Sequence, residues 1–181
     1  YDIARSAVGY LFLMRDQEHF ADLWTLVRAM GRAGVQTFPT SQDVIERVNA
    51  GTLLLGYNVL GSYAADQALR LPDLGLVLPR DFVVVVSRVA LVPAAAASPD
   101  LGEAFLDFLM SREGQTVLAE RLRLPAVSLE VAGKDSAAAM QEALGAKLRP
   151  VAVSPGLLAY LDAASRARVL AHWNAALEGG E

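Results

Sequence analysis

The hydrophobic and polar positions divide the chain into stretches of helical period and short unbroken apolar runs. Residues 2–14 place Ser6 just ahead of Val8, Leu11, Phe12 and Met14, which predicts a mostly buried helix with Ser6 as its N-cap or in its first turn. In residues 19–30, Phe20, Leu23, Trp24, Val27 and Met30 fall on one helical face, Asp22, Thr25 and Arg28 fall on the other, and Gly31 and Gly34 end the segment. Residues 35–38 read as a short strand. A helix follows, capped by Thr40 or Ser41, with Val44, Ile45 and Val48 inward and Gly51 at its C-terminal end. Residues 52–60 form an apolar run suited to one buried strand. It breaks at Gly61-Ser62 into a helix that starts near Tyr63.

From Leu71 the pattern becomes β-rich. Residues 74–78 and the valine-dense run 82–92 predict strands, the second buried on both faces, with Ser87 and Arg88 interrupting it as a ligand contact or one end of a salt bridge. Residues 93–99 form a proline-closed loop. Residues 100–110 form an amphipathic helix through Leu101, Ala104, Phe105, Phe108 and Leu109, and Ser111 caps the next helix. Core packing of that amphipathic face would make Phe105→Ala cost about 3 to 5 kcal/mol. Residues 123–134 are irregular, and an alanine-rich helix starts at Asp135 or Ser136. After a loop bracketed by Pro150 and Pro155, Leu157, Leu158, Leu161, Val169, Leu170, Trp173 and Leu177 form a long apolar stripe that needs a partner surface. The order helix, helix, strand, helix, strand predicts an α/β fold with a mixed sheet flanked by helices.

Composition narrows the function classes. The 181 residues are 54% hydrophobic with a mean hydropathy of +0.32, enough for a globular core rather than a disordered chain. Sixteen basic against twenty acidic residues give a charge of −4 with no basic cluster, which argues against nucleic acid and anionic membrane surfaces as partners. No cysteine is present, so disulfides, thiolate catalysis and cysteine-based metal sites are excluded together. The apolar runs are too short to cross a bilayer. Tyr1-Asp2-Ile3 reads like the middle of a protein, and the chain is expected to be a fragment.

Candidate chemistry concentrates at a predicted strand-turn-helix junction, the place where ligands sit in open α/β sheets. Tyr57, Asn58, Ser62 and Tyr63 interrupt an otherwise apolar segment, either because a small ligand needs them or because the tyrosines are half-buried core aromatics with backbone partners. Ser6 and the first-turn amides of its helix offer an anion site, or a plain cap with no ligand. General acid–base catalysis has little support, since Asp2, Asp66, Asp81 and Asp107 are scattered, and no phosphate loop, H-E-x-x-H motif or nucleophile elbow occurs. His19 and His172 read as surface or capping residues.

Several stretches together resemble the extracytoplasmic solute-binding proteins of ABC importers, in their iron(III)-type branch. They are Tyr1-Asp2 with residues 6–10, residues 41–63, Pro79-Arg-Asp-Phe82 leading into Ser87-Arg88-Val89-Ala90, and Ala104 through Ser111-Arg-Glu-Gly-Gln115. The resemblance covers residues 1–122 well and the tail loosely. It implies a periplasmic-binding-protein-like fold of two α/β lobes around a ligand cleft, with the first lobe largely missing here. Residues 1–61 would then supply second-lobe elements, 62–122 the crossover and returning strand with its helices, and 123–181 a C-terminal helical segment. Iron-binding members carry two adjacent tyrosines where this chain has Gly61-Ser62-Tyr63, because two phenolates hold a ferric ion.

The related members without that pair bind small organic or phosphorus-containing anions through a helix N-terminus and hydroxyls. That chemistry implies ligand-binding roles for Ser6, Ala7, Asn58, Ser62 and Tyr63, with no cofactor and no metal. The implied role is capture of a small anionic ligand for membrane importer subunits, in a periplasmic or extracytoplasmic location, without catalysis. The alternative is a ligand-sensing domain of a membrane signalling protein such as a histidine kinase. Apolar surface left by a missing lobe would offer a homodimer contact.

Overall fold

The computed structural model describes residues 1–122, 124–128, 130–133 and 136–179, so the predicted helix start at Asp135 lies outside the described residues. The chain forms two units, one of residues 1–78 with 152–181 and one of residues 79–151.

In the first unit, α1 (Ala7–His19) follows Ser6 as predicted and continues well past Met14, but of Val8, Leu11, Phe12 and Met14 only Phe12 is buried, together with Tyr10 and Leu13. α2 (Leu23–Arg32) buries Leu23 and Val27, the inward residues of its helical period. The C-terminal helix α8 (Ala163–Leu177), capped by Asp162, packs on α2, and their facing side chains meet Ile3, Tyr10 and Leu13 in one cluster. The apolar stripe of Val169, Leu170, Trp173 and Leu177 therefore finds its partner surface inside this unit. Full burial of a side chain of this size is worth about 1.5–3 kcal/mol, so this cluster is the main source of the unit's stability. The His172 ring stacks on Trp24 at 3.8 Å across the same helix pair, placing it in packing rather than ligation. Leu157, Leu158 and Leu161 belong to a separate 3-10 segment, Pro155–Leu161, instead of to α8.

α3 (Ser41–Asn49) is capped by Thr40, whose hydroxyl oxygen accepts from Asp43 N–H. It ends with Gly51 at φ +72°, a conformation that costs a Cβ-bearing residue about 1–2 kcal/mol. That turn lets Gly51 N–H reach Val48 O and Thr52 N–H reach Arg47 O. The geometry also explains why residues 52–60 are not the expected strand. The amides of Thr52 and Leu53 are spent on Arg47 O, Leu60 N–H is spent on the Ser41 hydroxyl, and Asn58 sits at φ +58°, so no ladder can form. Leu54 and Leu55 are 101% and 76% exposed, the opposite of a buried strand. Residues 35–38 likewise form no strand: Val35 N–H donates to Met30 O, Asp2 N–H donates to Phe38 O, and the Arg47 guanidinium lies 4.2 Å from the centre of the Phe38 ring. The helix predicted after Gly61-Ser62 is present as α4 (Gly61–Ala68).

The second unit contains the parallel sheet: β1 (Val83–Val85) pairs with β2 (Leu148–Pro150), with Val83 opposite Leu148 and Val85 opposite Pro150. Val151 N–H to Val85 O closes the ladder. The expected strand over 82–92 is thus three residues long and only half-buried, because Pro150 has no N–H to give and no described strand runs beside 86–92. Residues 74–78 form no strand either. α5 (Pro99–Met110) and α6 (Arg112–Leu122) follow as predicted, but α5 has no fully buried residue. Phe105 is 59% exposed, so the apolar face assigned to a core is largely open.

The motif Ser111-Arg-Glu-Gly-Gln115 has a structural explanation. Ser111 Oγ accepts from Gly114 N–H, and a Cβ at Gly114 would lie 2.0 Å from Phe108 O. Buried Gln115 donates to Leu109 O at 2.7 Å and accepts from Val127 N–H at 2.8 Å, tying the helix corner to the loop beyond α6. α7 (Ala137–Leu144) starts at the Ser136 cap, and Ala126 and Val131 pack with Ala119. Parallel pairing between helices places the chain in the α/β class.

Candidate functional site

The loop into α1 is held from several directions. Asp2 Oδ1 accepts from the amides of Ala4 and Arg5, and Asp2 O accepts from Ser6 N–H. From α8, Arg166 donates to Ala4 O at 3.2 Å while its guanidinium lies 4.4 Å from the centre of the Tyr10 ring. Ser6 is buried and its Oγ accepts from Gly9 N–H at 3.1 Å. Tyr10 N–H goes to Ser6 O, which leaves the amides of Ala7 and Val8 as first-turn donors with no intrahelical acceptor.

The second helix start is that of α4. Leu60 occupies its N-cap without a side-chain cap, and Leu60 O accepts from Tyr63 and Ala64, leaving the Gly61 and Ser62 amides at the end of the helix. A Cβ placed on Gly61 would meet nothing within 4 Å, so this end faces open space. Ser62 is half-buried and Tyr63 is 44% exposed.

Tyr1 joins the two helix starts. A Cβ on Gly9 would lie 2.4 Å from Tyr1 Cβ, so the tyrosine is seated on the first turn of α1. Its hydroxyl is hydrogen-bonded to Ser41 Oγ, which also accepts from Leu60 N–H at 2.9 Å. Burial pushes the Tyr1 phenol above its ordinary pKa; the Ser41 bond and the Leu60 amide oppose this, and the nearby Tyr63 phenol adds to it.

The structure therefore gathers the Ser6–Ala7 turn and the Ser62–Tyr63 turn around one tyrosine. Asn58 points elsewhere: its Nδ2 donates at 3.1 Å to the buried carboxylate of Asp16, nine residues after Ala7 and so about 13 Å farther along α1. Tyr57 is 47% exposed.

Sequence reasoning missed two members of this site, Tyr1 and Ser41. One signal for Ser41 was present: Thr40 already supplies the cap, so the adjacent hydroxyl is available for another partner. Among the described residues no group of three or more histidine, cysteine or acidic side chains is arranged to hold a metal ion. No described helix is long and apolar enough to cross a membrane.

Two turns that present backbone amides and hydroxyls suit a binding protein, and comparison with known proteins gives the class. Residues 5–149 match the family of bacterial extracellular solute-binding proteins, and the chain belongs to that family. It is similar to the solved substrate-binding protein of an ABC transporter from Agrobacterium tumefaciens, with 58% sequence identity and a TM-score of 0.90. That similarity covers 98% of this chain and 52% of the other, so the chain spans about half the length of that protein. No curated protein sequence matches it.

Proposed function

We propose that this chain is part of the solute-binding component of an ABC importer, working outside the cytoplasmic membrane and delivering a small anion to membrane subunits without catalysis. The observation that carries this reading is the 58% identity to a substrate-binding protein of an ABC transporter over nearly the whole of this chain. The anion class is supported by the chemistry of the two helix starts, which present the Ala7 and Val8 amides beyond the Ser6 cap of α1 and the Gly61 and Ser62 amides of uncapped α4, together with hydroxyls. In this reading Ala7 supplies an amide, Ser6 shapes the turn that presents it, and Ser62 and Tyr63 supply hydroxyls. Asn58, held by Asp16, fixes the loop that leads into α4. The ligand is an organic or phosphorus-containing anion rather than ferric iron.

A thermal-shift screen of the full-length protein against inorganic phosphate, phosphonates, sugar phosphates, small carboxylates and ferric salts tests this. A ligand present at a hundred times its Kd adds about 2.7 kcal/mol to the native state, a shift such a screen resolves. Stabilisation by an anion is expected, with affinity lowered by about 1–2 kcal/mol in Ser62→Ala and in Tyr63→Phe. Stabilisation by ferric salts alone would overturn the reading.

A further inference from the structure

The second unit has too little core to support a sheet by itself. Among the described residues of 79–151 the buried apolar side chains are Ala119, Ala126, Val131 and Val151, all small, whereas the first unit buries Ile3, Tyr10, Phe12, Leu13, Leu23 and Ile45. Its sheet is one parallel pair with three residues on each strand. Parallel sheets are covered on both faces, and an isolated two-stranded ribbon is marginal in water even when antiparallel. The pair β1–β2 therefore belongs in a wider sheet.

The register shows which edge of β1 is open. Val85 O accepts from Val151 N–H, and a residue in a parallel ladder turns its amide and carbonyl to the same side, so Val83 and Val85 face β2. Val84 faces the opposite edge, where no described strand runs. Beyond β1 the chain stays apolar to residue 92. Val92 rests on α5, where a Cβ at Gly102 would lie 2.9 Å from it, but Val89 and Leu91 are 63% and 71% exposed.

The solved relative indicates what covers this edge. It matches 98% of this chain with 52% of its own length, so nearly half of that protein lies outside the match. A second copy fits less well, because a twofold axis would set β1 against its own copy antiparallel. Parallel neighbours are joined within one chain by crossover connections, as β1 and β2 are joined through α5, α6 and α7.

We infer that the Val84 edge of β1 is an interaction surface for the remainder of the full-length protein, which adds a parallel apolar strand there and extends β1 towards residue 92. The inference stands apart from the anion reading, and no ligand enters its test.

Hydrogen exchange of the full-length wild type, followed amide by amide at a concentration where light scattering gives a monomer, reads the edge directly. The Val85 amide faces β2 in either case and is the internal control. The Val84 and Val86 amides should exchange about a thousandfold or more slowly than in a free peptide. Val84→Pro should lower the urea midpoint, since a proline whose missing N–H faces solvent is tolerated on an open edge but not beside a paired strand. Leu91→Lys should lower it as well, because an exposed edge accepts lysine and a covered one does not. Val84 exchanging at the free-peptide rate while Val85 is protected would overturn the inference, as would wild-type midpoints in both variants. Protection found only in a dimer and lost on dilution would overturn it in favour of a second copy.

Discussion

Gly31→Ala tests the packing that holds the first unit together. Gly31 lies in the last turn of α2, and a Cβ built there falls 2.2 Å from Leu177 O, 2.7 Å from Leu177 C and 2.8 Å from Leu177 Cα, all of them backbone atoms. Nine in ten real Cβ contacts are longer than 3.4 Å, so the end of α8 would have to retreat by about 1.2 Å, the difference between 3.4 and 2.2. That retreat loosens Ala176 and Trp173 against the cluster containing Leu23 and Val27.

Two effects oppose each other. Alanine is a better helix former than glycine by about 1 kcal/mol, while forcing extra volume into a packed contact costs about 1–3 kcal/mol. Because the obstructing atoms are main chain and cannot rotate away, the upper part of that range applies, and the net expectation is a loss of about 1–2 kcal/mol. Urea unfolding of the full-length protein measures it as a lower midpoint at unchanged slope. A midpoint equal to or above that of wild type would refute the close approach of α2 and α8.

Gln115→Leu should cost about 2–4 kcal/mol in the same assay, since it abandons both the Leu109 carbonyl and the Val127 amide, each at about 1–3 kcal/mol less the gain from the more apolar side chain. A neutral result would mean that water replaces both bonds. Phe105→Ala should cost less than about 1 kcal/mol in this chain, because a side chain 59% exposed has little burial to lose; a loss of 3 kcal/mol would show that α5 packs in a core after all. The Tyr1 phenol is held above its ordinary pKa of 10.0, so the folded state favours its neutral form. Stability from this source is complete below pH 10.0 and is lost as pH rises through the raised value, a decline that Tyr1→Phe should remove from a pH series of melting temperatures.

Most helices were legible in the sequence because their signals are local. A cap hydroxyl ahead of a helix-forming run marks α1 near Ser6, α3 at Thr40 or Ser41 and α7 at Asp135 or Ser136, and the structure selects Ser6, Thr40 and Ser136 as the side-chain caps. Family membership was legible for a related reason: short runs such as Ser111 through Gln115 encode a fixed local geometry, here a corner closed by a hydroxyl, a glycine and an amide side chain. Strands were much less legible. An apolar run says that a segment wants burial but does not name a ladder partner, and residues 52–60 and 86–92 have none among the described residues.

The sequence by itself determined the α/β class, the helix starts with their caps, the lack of cysteine chemistry and the hydroxyl-bearing turn at Ser62 and Tyr63. Only the tertiary structure decided which polar groups meet. It brought Tyr1 and Ser41, forty residues apart, into one hydrogen bond at the start of α4, and turned Asn58 towards Asp16. The physical reason is that caps and helical periods are set by neighbours within a few residues, whereas a convergent hydroxyl pair depends on how α1, α3 and α4 pack, which no local pattern records.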